Sequence, residues 1–464
     1  ISDSLYEGPY DPDSAPWSTY KESARLPAHL QRGTLCAAPA RCLRTDSPTA
    51  ILEGPELEGV DKWLGGELGP DGCIYAVPGT ARSVLRIEPP SPSSSEGAYR
   101  LSMLGALGGP SVRSSMAKNR FKWLRGALCR DGCIYGIPSN ADCVLRIVVP
   151  PPGAGEPRVE AVPDYNPALR TPAAHAALEE EYAFLRGTWK WHGAVLGGDG
   201  VLYGVPANAT RVLRVVPPER GSQETPPLVD QVGPEIEGKN KWYGGLLSPV
   251  DQCIYCIPNM APSILRIRPP APGTGGAAEV TSVPLPPAAV PPGTGWKWHG
   301  GVTGRDGAVY GVPSHADGVL RIRPVPVPAE ARAAADAEIE ALAADPESMA
   351  VRARTSDPGM DVEVCVLGRG RLEDSRVREN GKGGPRYKYG GGAVAGDGRI
   401  YCFPSDADRV LRVDPATGDV RCVGPNFACQ GFNKWQNGFV SKRDGCVYAI
   451  PCNARHVLRI DPAA

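Results

Sequence analysis

Two histidines stand directly after a tryptophan in two similar stretches of this 464-residue chain. His192 lies in the stretch KWHGAVLGGDG, and His299 lies in KWHGGVTGRDG. An imidazole can act as a general base or bind a metal ion, so two of them facing one cavity would be suited to hydrolysis. Other residues occupy the same position elsewhere in the chain, and the alternative interpretation is therefore simple variation at a tolerant position.

Both stretches belong to a module that occurs seven times. Every copy keeps a Lys, an aromatic residue after it, an Asp, a Tyr, a Pro and a Leu-Arg pair. The copies begin at Lys62, Lys122, Lys190, Lys241, Lys297, Lys388 and Lys434. Such self-similarity indicates a repeat architecture. The recurring polar residues are therefore expected mainly to build the fold, and function is expected where the copies differ.

Each copy contains short runs such as GAVYGV and GVLRIR, whose β-branched and aromatic residues predict strands. Asp-Gly links the first two strands in six of the seven copies, and this dipeptide favours tight hairpins. A fourth, less regular strand is predicted between copies, for example at 360–368 and 418–424. Four antiparallel strands in each of seven units predict an all-β, seven-bladed β-propeller. A strand at 50–54 would complete the last blade, and a decayed copy at 32–48 leaves eight blades as the alternative.

The regions outside the repeat are an N-terminal arm and two insertions. Residues 1–48 are interpreted as the arm, or as a decayed repeat, and residues 49–464 as the propeller. Insertions at 164–188 and 325–386 contain Ala-rich stretches that predict helices. Because insertions on a rigid scaffold often carry binding surfaces, we expect other protein subunits to bind the arm, the insertions or the top-face loops.

The repeated lysines form the candidate binding site. If the ring closes, symmetry places Lys62, Lys122, Lys190, Lys241, Lys297, Lys388 and Lys434 around one mouth of the channel. Seven ammonium groups there could bind an acidic segment or a polyanion. In the alternative interpretation each Lys packs along a neighbouring Trp and serves the fold. The repeated Asp residues are expected to build the first hairpin turns.

The sequence predicts no catalytic residues, no metal site and no cofactor. Glu67 is the only carboxylate in a first strand, and one carboxylate does not hold a divalent cation. Cys253 and Cys256 have the spacing of a metal motif, but residues i and i+3 of a strand point to opposite faces. His192 and His299 therefore remain as the candidate residues in the channel.

Composition excludes two classes of protein. The formal net charge of −1 gives no overall basic field, so we expect no nucleic-acid partner. No apolar run is long enough to span a bilayer, although peripheral association with a membrane complex is compatible with the sequence. We expect a soluble chain of unknown compartment, and the N-terminal residues allow for a processed organellar or secreted protein.

The repeated core, Asp-Gly-x-(Ile/Val)-Tyr followed by Val-Leu-Arg-Ile, covers roughly residues 50–462 and resembles the β-propeller repeat families that include WD40, kelch and NHL rings. The copies lack the Trp-Asp ending of WD40 blades and the Gly-Gly/Trp arrangement of kelch blades. The resemblance implies a rigid interaction platform. The expected function is therefore a non-enzymatic scaffold, as a peripheral subunit of a larger complex. The alternatives are a metal-dependent hydrolase similar to lactonases that uses His192 and His299, and a lectin that binds glycans or polyanions through the lysines.

Overall fold

The computed structural model describes most of residues 62–463. The residues left out of this range are 90–99, 108–111, 113–119, 152–153, 220, 223, 275, 291–293, 346, 373–386, 442–443 and 455. The predicted arm, the decayed copy at 32–48 and the closing strand at 50–54 lie outside the described residues. Residues 60–464 form one compact unit, and the description below concerns this unit.

The described residues form seven antiparallel sheets, which are the blades of the predicted β-propeller. Blade 1 contains β1 (Trp63–Leu68), β2 (Ile74–Pro78), β3 (Val84–Glu88) and β4 (Arg100–Leu104). Blade 2 contains β5 (Trp123–Leu128), β6 (Cys133–Pro138), β7 (Val144–Val148) and β8 (Arg158–Val162). Blade 3 contains β9 (Trp191–Leu196), β10 (Leu202–Pro206), β11 (Val212–Val216) and β12 (Leu228–Val232). Blade 4 contains β13 (Trp242–Leu247), β14 (Ile254–Pro258), β15 (Ser263–Arg268) and β16 (Glu279–Pro284).

The remaining three blades depart from the four-stranded plan in two places. Blade 5 contains β17 (Trp298–Thr303), β18 (Val309–Pro313), β19 (Val319–Pro326), β20 (Ala350–Arg354) and β21 (Met360–Leu367). Blade 6 contains β22 (Tyr389–Val394), β23 (Ile400–Pro404), β24 (Val410–Asp414) and β25 (Asp419–Val423). Blade 7 contains β26 (Trp435–Val440), β27 (Val447–Pro451) and β28 (Leu458–Ile460). The strands at 360–368 and 418–424 are thus confirmed, as β21 and β25.

The first strands of successive blades lie side by side, and glycine allows their close approach. A Cβ added to Gly244 would make only an ordinary contact, at 3.6 Å, with the Cα of Gly300 in the next blade, and glycine is favoured there by its φ of 75°. A Cβ added to Gly390 would lie 2.6 Å from the carbonyl oxygen of Trp435, which is too close for any side chain. Glycine in these strands is therefore explained by the packing of inner strands around one axis.

Tryptophans at the start of the inner strands fill the spaces between blades. Trp123, Trp191, Trp242 and Trp298 are fully or almost fully buried. Each indole N–H donates to a backbone carbonyl of its own blade, as Trp123 does to the Cys143 oxygen at 2.8 Å. A buried indole needs such a partner because an unpaired N–H would lose its bond to water. The aromatic residue after each Lys is thus part of the core.

The repeated Asp closes the first hairpin turn, as predicted. In blade 2, Asp131 Oδ1 accepts the backbone N–H of Cys133 at 3.1 Å, and Oδ2 accepts the hydroxyl of Tyr135 at 2.7 Å. The Arg146 guanidinium lies 3.6 Å from the same carboxylate, and both side chains are buried. Equivalent Tyr–Asp bonds occur in all seven blades.

Among the described residues, six of the seven repeated Arg residues form an ion pair. They pair with carboxylates of their own blade, on the first turn or on the fourth strand. This is seen at Arg86, Arg146, Arg214, Arg266, Arg412 and Arg459. The reason is the antiparallel register, which places each of these Arg residues opposite the Tyr of the second strand.

Both predicted insertions contain a helix. Helix α1 (Pro172–Glu181) begins after Thr171, whose side chain caps the N–H of Ala174. Helix α2 (Arg332–Ala344) is shorter than the Ala-rich stretch suggested, because the chain then forms β20 as a fifth strand of blade 5. The fully buried carboxylate of Asp361 binds Arg332 at 2.8 Å and Arg352 at 3.0 Å. These ion pairs hold α2 and β20 against the blade.

Blade 7 exposes apolar side chains at positions that are buried in blade 3. Ile450 and Val457 are 48% and 59% exposed, whereas their counterparts in blade 3, Val205 and Val212, are 0% and 1% exposed. The counterparts are covered by the following blade. The described residues therefore leave this side of blade 7 open, and the closing strand predicted at 50–54 stays a prediction.

Candidate functional site

Three residues from consecutive blades meet at the axis of the propeller. His192 of β9, Tyr243 of β13 and His299 of β17 occupy the same position, directly after the inner-strand Trp. The rings of His192 and Tyr243 stack with centroids 4.0 Å apart and an interplanar angle of 7°. The His299 ring lies 5.3 Å from Tyr243 and 5.8 Å from His192. We call these three residues the channel cluster.

A bulge in each inner strand places the channel cluster. The pairing register shifts after the Trp in β9, β13 and β17. The residue that follows the cluster position is Gly193, Gly244 or Gly300, with φ of 80°, 75° and 68°. Glycine adopts this left-handed conformation without steric cost. The bulge re-aims the preceding side chain, a common use of bulges next to functional sites.

Both imidazoles are held in the neutral form. Burial lowers the pKa of His192 well below its usual value, and the neighbouring His299 and Arg125 lower it further. Burial lowers the pKa of His299 to about 3, and the Arg125 guanidinium acts in the same direction. A neutral imidazole has one nitrogen that accepts a proton and one that donates a hydrogen bond. The pair can therefore accept a proton near neutral pH without first losing one.

Arg125 and Glu67 are the charged residues of the neighbouring inner strands, β5 and β1. Burial raises the pKa of Glu67, and the Arg125 guanidinium opposes this shift. Burial lowers the pKa of Arg125, which Glu67 opposes in turn. The Arg125 side chain is nevertheless exposed to solvent, as expected for a side chain that is surrounded by protein but projects into an open channel. Arg125 thus acts on the two histidines, and Glu67 acts on Arg125.

Sequence reasoning identified the two histidines but missed three residues near them. Arg125 stands where five other copies have Gly, and Trp296 and Tyr387 stand directly before the repeated Lys. The sequence did distinguish Arg125, because it is the one charged residue at a position that is glycine in five of the seven copies. Tyr243 was noticed as a variant of the histidine position, but its stacking on His192 was not predictable from spacing.

The structure places the lysines differently from the open ring that the sequence predicted. Six of them are at most 3% exposed: Lys122, Lys190, Lys241, Lys297, Lys388 and Lys434. Lys62 is half-buried. Their location corrects the prediction of a channel mouth lined with ammonium groups, and it agrees with the structural alternative.

The buried lysines tie neighbouring blades together. The Lys190 ammonium donates to the carbonyls of Ser139 and Ala141 in blade 2, at 2.8 and 2.9 Å, and to Gly187 at 2.9 Å. Lys122 makes the same kind of bond to blade 1. The inner-strand Trp lies within 6.0 Å of the Lys190 ammonium, close enough for a cation–π contact. Five of the lysines direct their ammonium groups to backbone carbonyls rather than to an open channel mouth: Lys122, Lys190, Lys241, Lys388 and Lys434.

The donor set in the channel does not fit a metal ion. Within the described part of the chain, no group of three or more His, Cys, Asp or Glu side chains is arranged to hold one. His192 and His299 supply two nitrogen donors, while a catalytic zinc site needs three protein ligands and a hard cation prefers several oxygens. We therefore derive no chemical step through a metal. Among the described helices, none is long and apolar enough to cross a membrane.

Comparison with known proteins gives structural likeness alone. No family model and no curated protein matches the chain. A virginiamycin B lyase from Staphylococcus aureus is 11% identical, with a TM-score of 0.44 over 86% of this chain and 94% of that one. The periplasmic gluconolactonase PpgL of Pseudomonas aeruginosa is 14% identical, with a TM-score of 0.43 over 81% of this chain and 88% of that one. A streptogramin B lyase is 14% identical, with a TM-score of 0.42 over 84% and 91%.

These comparisons correct the predicted function. The sequence suggested a non-enzymatic scaffold, whereas the solved structures that resemble the chain are named as lyases and lactonases. The prediction of a scaffold that is not an enzyme is therefore wrong, and the hydrolase alternative agrees better with the comparisons. At this level of identity and TM-score the neighbours say nothing about individual residues. A reaction can therefore be inferred only from the residues that line the channel.

Proposed function

We propose that this chain is a hydrolase that opens cyclic esters in the channel of its propeller. The observation that carries the proposal is the channel cluster, in which His192, Tyr243 and His299 from three blades form one group at the axis. Imidazoles are suited to activate water. The named lactonases among the structural neighbours agree with this reaction type.

His299 is the general base in this proposal. One face of the His192 ring is covered by Tyr243 at 4.0 Å, whereas His299 meets Tyr243 and His192 only at tilted or edge-on angles. The pKa of about 3 makes His299 neutral but weakly basic in the free protein. A negative charge that develops on the substrate favours the protonated imidazole. The base therefore gains strength as the reaction proceeds.

Arg125 supplies the positive charge for the oxyanion. The guanidinium lies close enough to influence the pKa of both histidines, and its charge is opposite to that of a tetrahedral intermediate. Fixed donors of this kind act most strongly in a site of low polarity. Burial lowers the pKa of Arg125, and the Glu67 carboxylate opposes this shift and so favours the charged guanidinium.

The reaction balances with water alone. The water oxygen forms a bond to the ester carbonyl carbon while His299 takes one of its protons. The tetrahedral intermediate then breaks the ring C–O bond, and the imidazolium returns the proton to the leaving alkoxide, as a single His does in acyl transfer. The product is a hydroxy acid, which loses its carboxyl proton to solvent at neutral pH.

The test is a panel of lactones followed with a pH indicator. The panel contains glucono-δ-lactone, an aliphatic γ-lactone and the aromatic lactone dihydrocoumarin. We expect the native protein to open at least one of them, and His299→Gln to lower kcat/KM by about 100-fold or more, the usual contribution of a general base. Gln436→Ala is the matched control, because Gln436 occupies the same position in blade 7.

Two results would refute the proposal. One is a native protein that opens no lactone of the panel faster than buffer. The other is a double variant, with both histidines replaced by Gln, that keeps native activity. The docking of other subunits on the insertions stays a separate prediction, which these measurements do not address.

A further inference from the structure

In blades 2 to 7 the residue before the repeated Lys adopts an unusual backbone conformation. This residue has a φ between 49° and 52° at Phe121, Trp189, Asn240, Trp296, Tyr387 and Asn433. Asn tolerates the left-handed region, but large aromatic residues rarely adopt it. Strained backbone of this kind is concentrated at functional sites. Four of these six residues are aromatic, and they differ in what they contact.

Two of these aromatic residues are used for packing. Phe121 and Trp189 are 3% and 6% exposed, and their rings pack together with centroids 5.2 Å apart. Trp296 and Tyr387 are only half-buried. Packing therefore accounts for the aromatic residues of blades 2 and 3 more fully than for those of blades 5 and 6.

Trp296 and Tyr387 extend the channel cluster along one side of the channel. The Tyr243 ring lies 5.6 Å from Trp296, at an interplanar angle of 81°. The Trp296 ring lies 6.2 Å from Tyr387, whose other side meets the His315 ring at 4.9 Å. We call Tyr243, Trp296 and Tyr387 the aromatic wall, and its Tyr243 end is stacked on the proposed catalytic site.

The hydrogen-bond acceptor for the backbone N–H of Trp296 also differs from that in the other copies. The backbone N–H of Trp189 donates to the Asn140 side chain at 2.7 Å, and that of Asn240 donates to Asn208 at 2.9 Å. At Trp296 the corresponding acceptor is the sulfur of Met260, at 3.2 Å. Met260 is 44% exposed, and methionine adapts its shape to an apolar ligand. The apolar surface thus continues from the wall onto Met260.

The charges near the wall favour an anion. Arg125 is the one cation on the described inner strands, and its side chain is exposed, whereas Lys297 and Lys388 are buried. Glu67 is the one carboxylate on the described inner strands. The exposed guanidinium of Arg125 can therefore pair with an anionic group of a ligand.

We propose that the aromatic wall binds a planar aromatic ring that carries a negative charge. This inference rests on the proposed function, since the hydroxy acid released from an aromatic lactone has this chemistry. The ring would lie against Trp296 and Tyr387, with its carboxylate toward Arg125. The wall would then select aromatic over purely aliphatic cyclic esters.

Binding can be measured without turnover. The probe is 3-phenylpropionate, titrated calorimetrically into the full chain. The two comparison ligands are 3-cyclohexylpropionate, which keeps the charge but lacks the aromatic ring, and 3-phenylpropyl-trimethylammonium, which keeps the ring but reverses the charge. We expect the aryl anion to bind several-fold tighter than the cyclohexyl anion, and about tenfold or more tighter than the cation. Equal binding of the two anions, or tighter binding of the cation, would overturn the inference.

Asparagine variants separate binding from folding. Trp296→Asn and Tyr387→Asn replace a strained aromatic residue with the residue that blades 4 and 7 already carry there. Each is expected to weaken 3-phenylpropionate binding about two- to tenfold, with a Tm that is unchanged or higher. Phe121→Asn, at the same position on the other side, is the control and should leave the affinity unchanged. Native affinity in both wall variants would refute the binding site, and a lower Tm in both would show that their role is structural.

The inference and the proposed function can fail separately. If the probe binds as predicted but no lactone is opened, the proposed reaction is refuted and the aromatic site stands. If lactones are opened by a His299-dependent reaction but glucono-δ-lactone and dihydrocoumarin react equally well in native protein and wall variants, the aromatic site is refuted.

Discussion

The most direct prediction concerns the protonation of the channel histidines. The chain has only six His residues, so imidazole signals of protein labelled selectively at histidine can be followed by NMR from pH 8 to pH 4. His192→Gln and His299→Gln assign the two channel signals. We expect both signals to remain those of neutral imidazole at pH 5, because burial and the nearby Arg125 disfavour the charged form.

The size of the effect follows from the pKa values. A histidine with the ordinary pKa of about 6.5 is about 97% protonated at pH 5. His299, with a pKa of about 3, is protonated to only about 1% at that pH. The neutral fraction thus differs about 30-fold. If His299 is the base, kcat/KM should be nearly constant between pH 5 and pH 7, because no essential imidazole becomes protonated there.

The same protein unfolded in urea provides the reference, since its histidines titrate without the folded environment. Titration of both channel signals with midpoints near 6.5 in the folded protein would refute the reasoning. That result would mean that water solvates the rings well enough to remove the desolvation penalty. The electrostatic part of the proposed mechanism would then have to be abandoned.

Three further predictions concern the framework and the metal question. Burial lowers the pKa of Lys190 to about 7, so above this pH the unfolded state binds more protons than the folded state. The free energy of unfolding of the native protein should therefore rise between pH 7 and pH 8.5 relative to that of Lys190→Met, by up to about 1.4 kcal/mol per pH unit. Denaturant titrations in which both proteins show the same dependence of unfolding free energy on pH would contradict this. Asp131→Ala should cost about 2–4 kcal/mol, because it removes the acceptor of the buried Tyr135 hydroxyl and one of the two carboxylates that pair with the buried Arg146 guanidinium. Asp444→Ala, at the same turn but exposed, should cost clearly less, and equal losses would be inconsistent with burial as the cause. Chelation should leave lactone opening unchanged, and a loss reversed by one equivalent of a divalent cation would show that the channel holds a metal.

The fold could be predicted because its information is repeated. Seven copies of one pattern specify the Asp131-type turn, the Tyr–Asp bond and the strand order independently, so an error in one copy is corrected by the others. The features that were not predicted are contacts between one blade and the next. The burial of Lys190, for example, depends on carbonyls of Ser139 and Ala141 in the preceding blade.

The candidate site was only partly predictable for a related reason. His192 and His299 were identified from residue type, but nothing in the sequence fixes how far apart two blades hold them. The stacking of Tyr243 and the nearby Arg125 arise from adjacent strands, and the shifted pKa values follow from that proximity. A single copy does not show these contacts between blades, so the histidines could equally be interpreted as variation at a tolerant position.

Symmetry explains why the strained positions are informative. The backbone before the repeated Lys is left-handed in blades 2 to 7, so the fold imposes this conformation whatever the side chain is. Asn240 and Asn433 show that a suitable residue is available, and the aromatic residues of blades 5 and 6 are therefore not required by the backbone. Because Trp296 and Tyr387 are only half-buried, packing does not fully account for them either. A residue that the backbone disfavours and the core does not need is best explained by a ligand, and the wall that they form with Tyr243 extends from the proposed catalytic imidazoles.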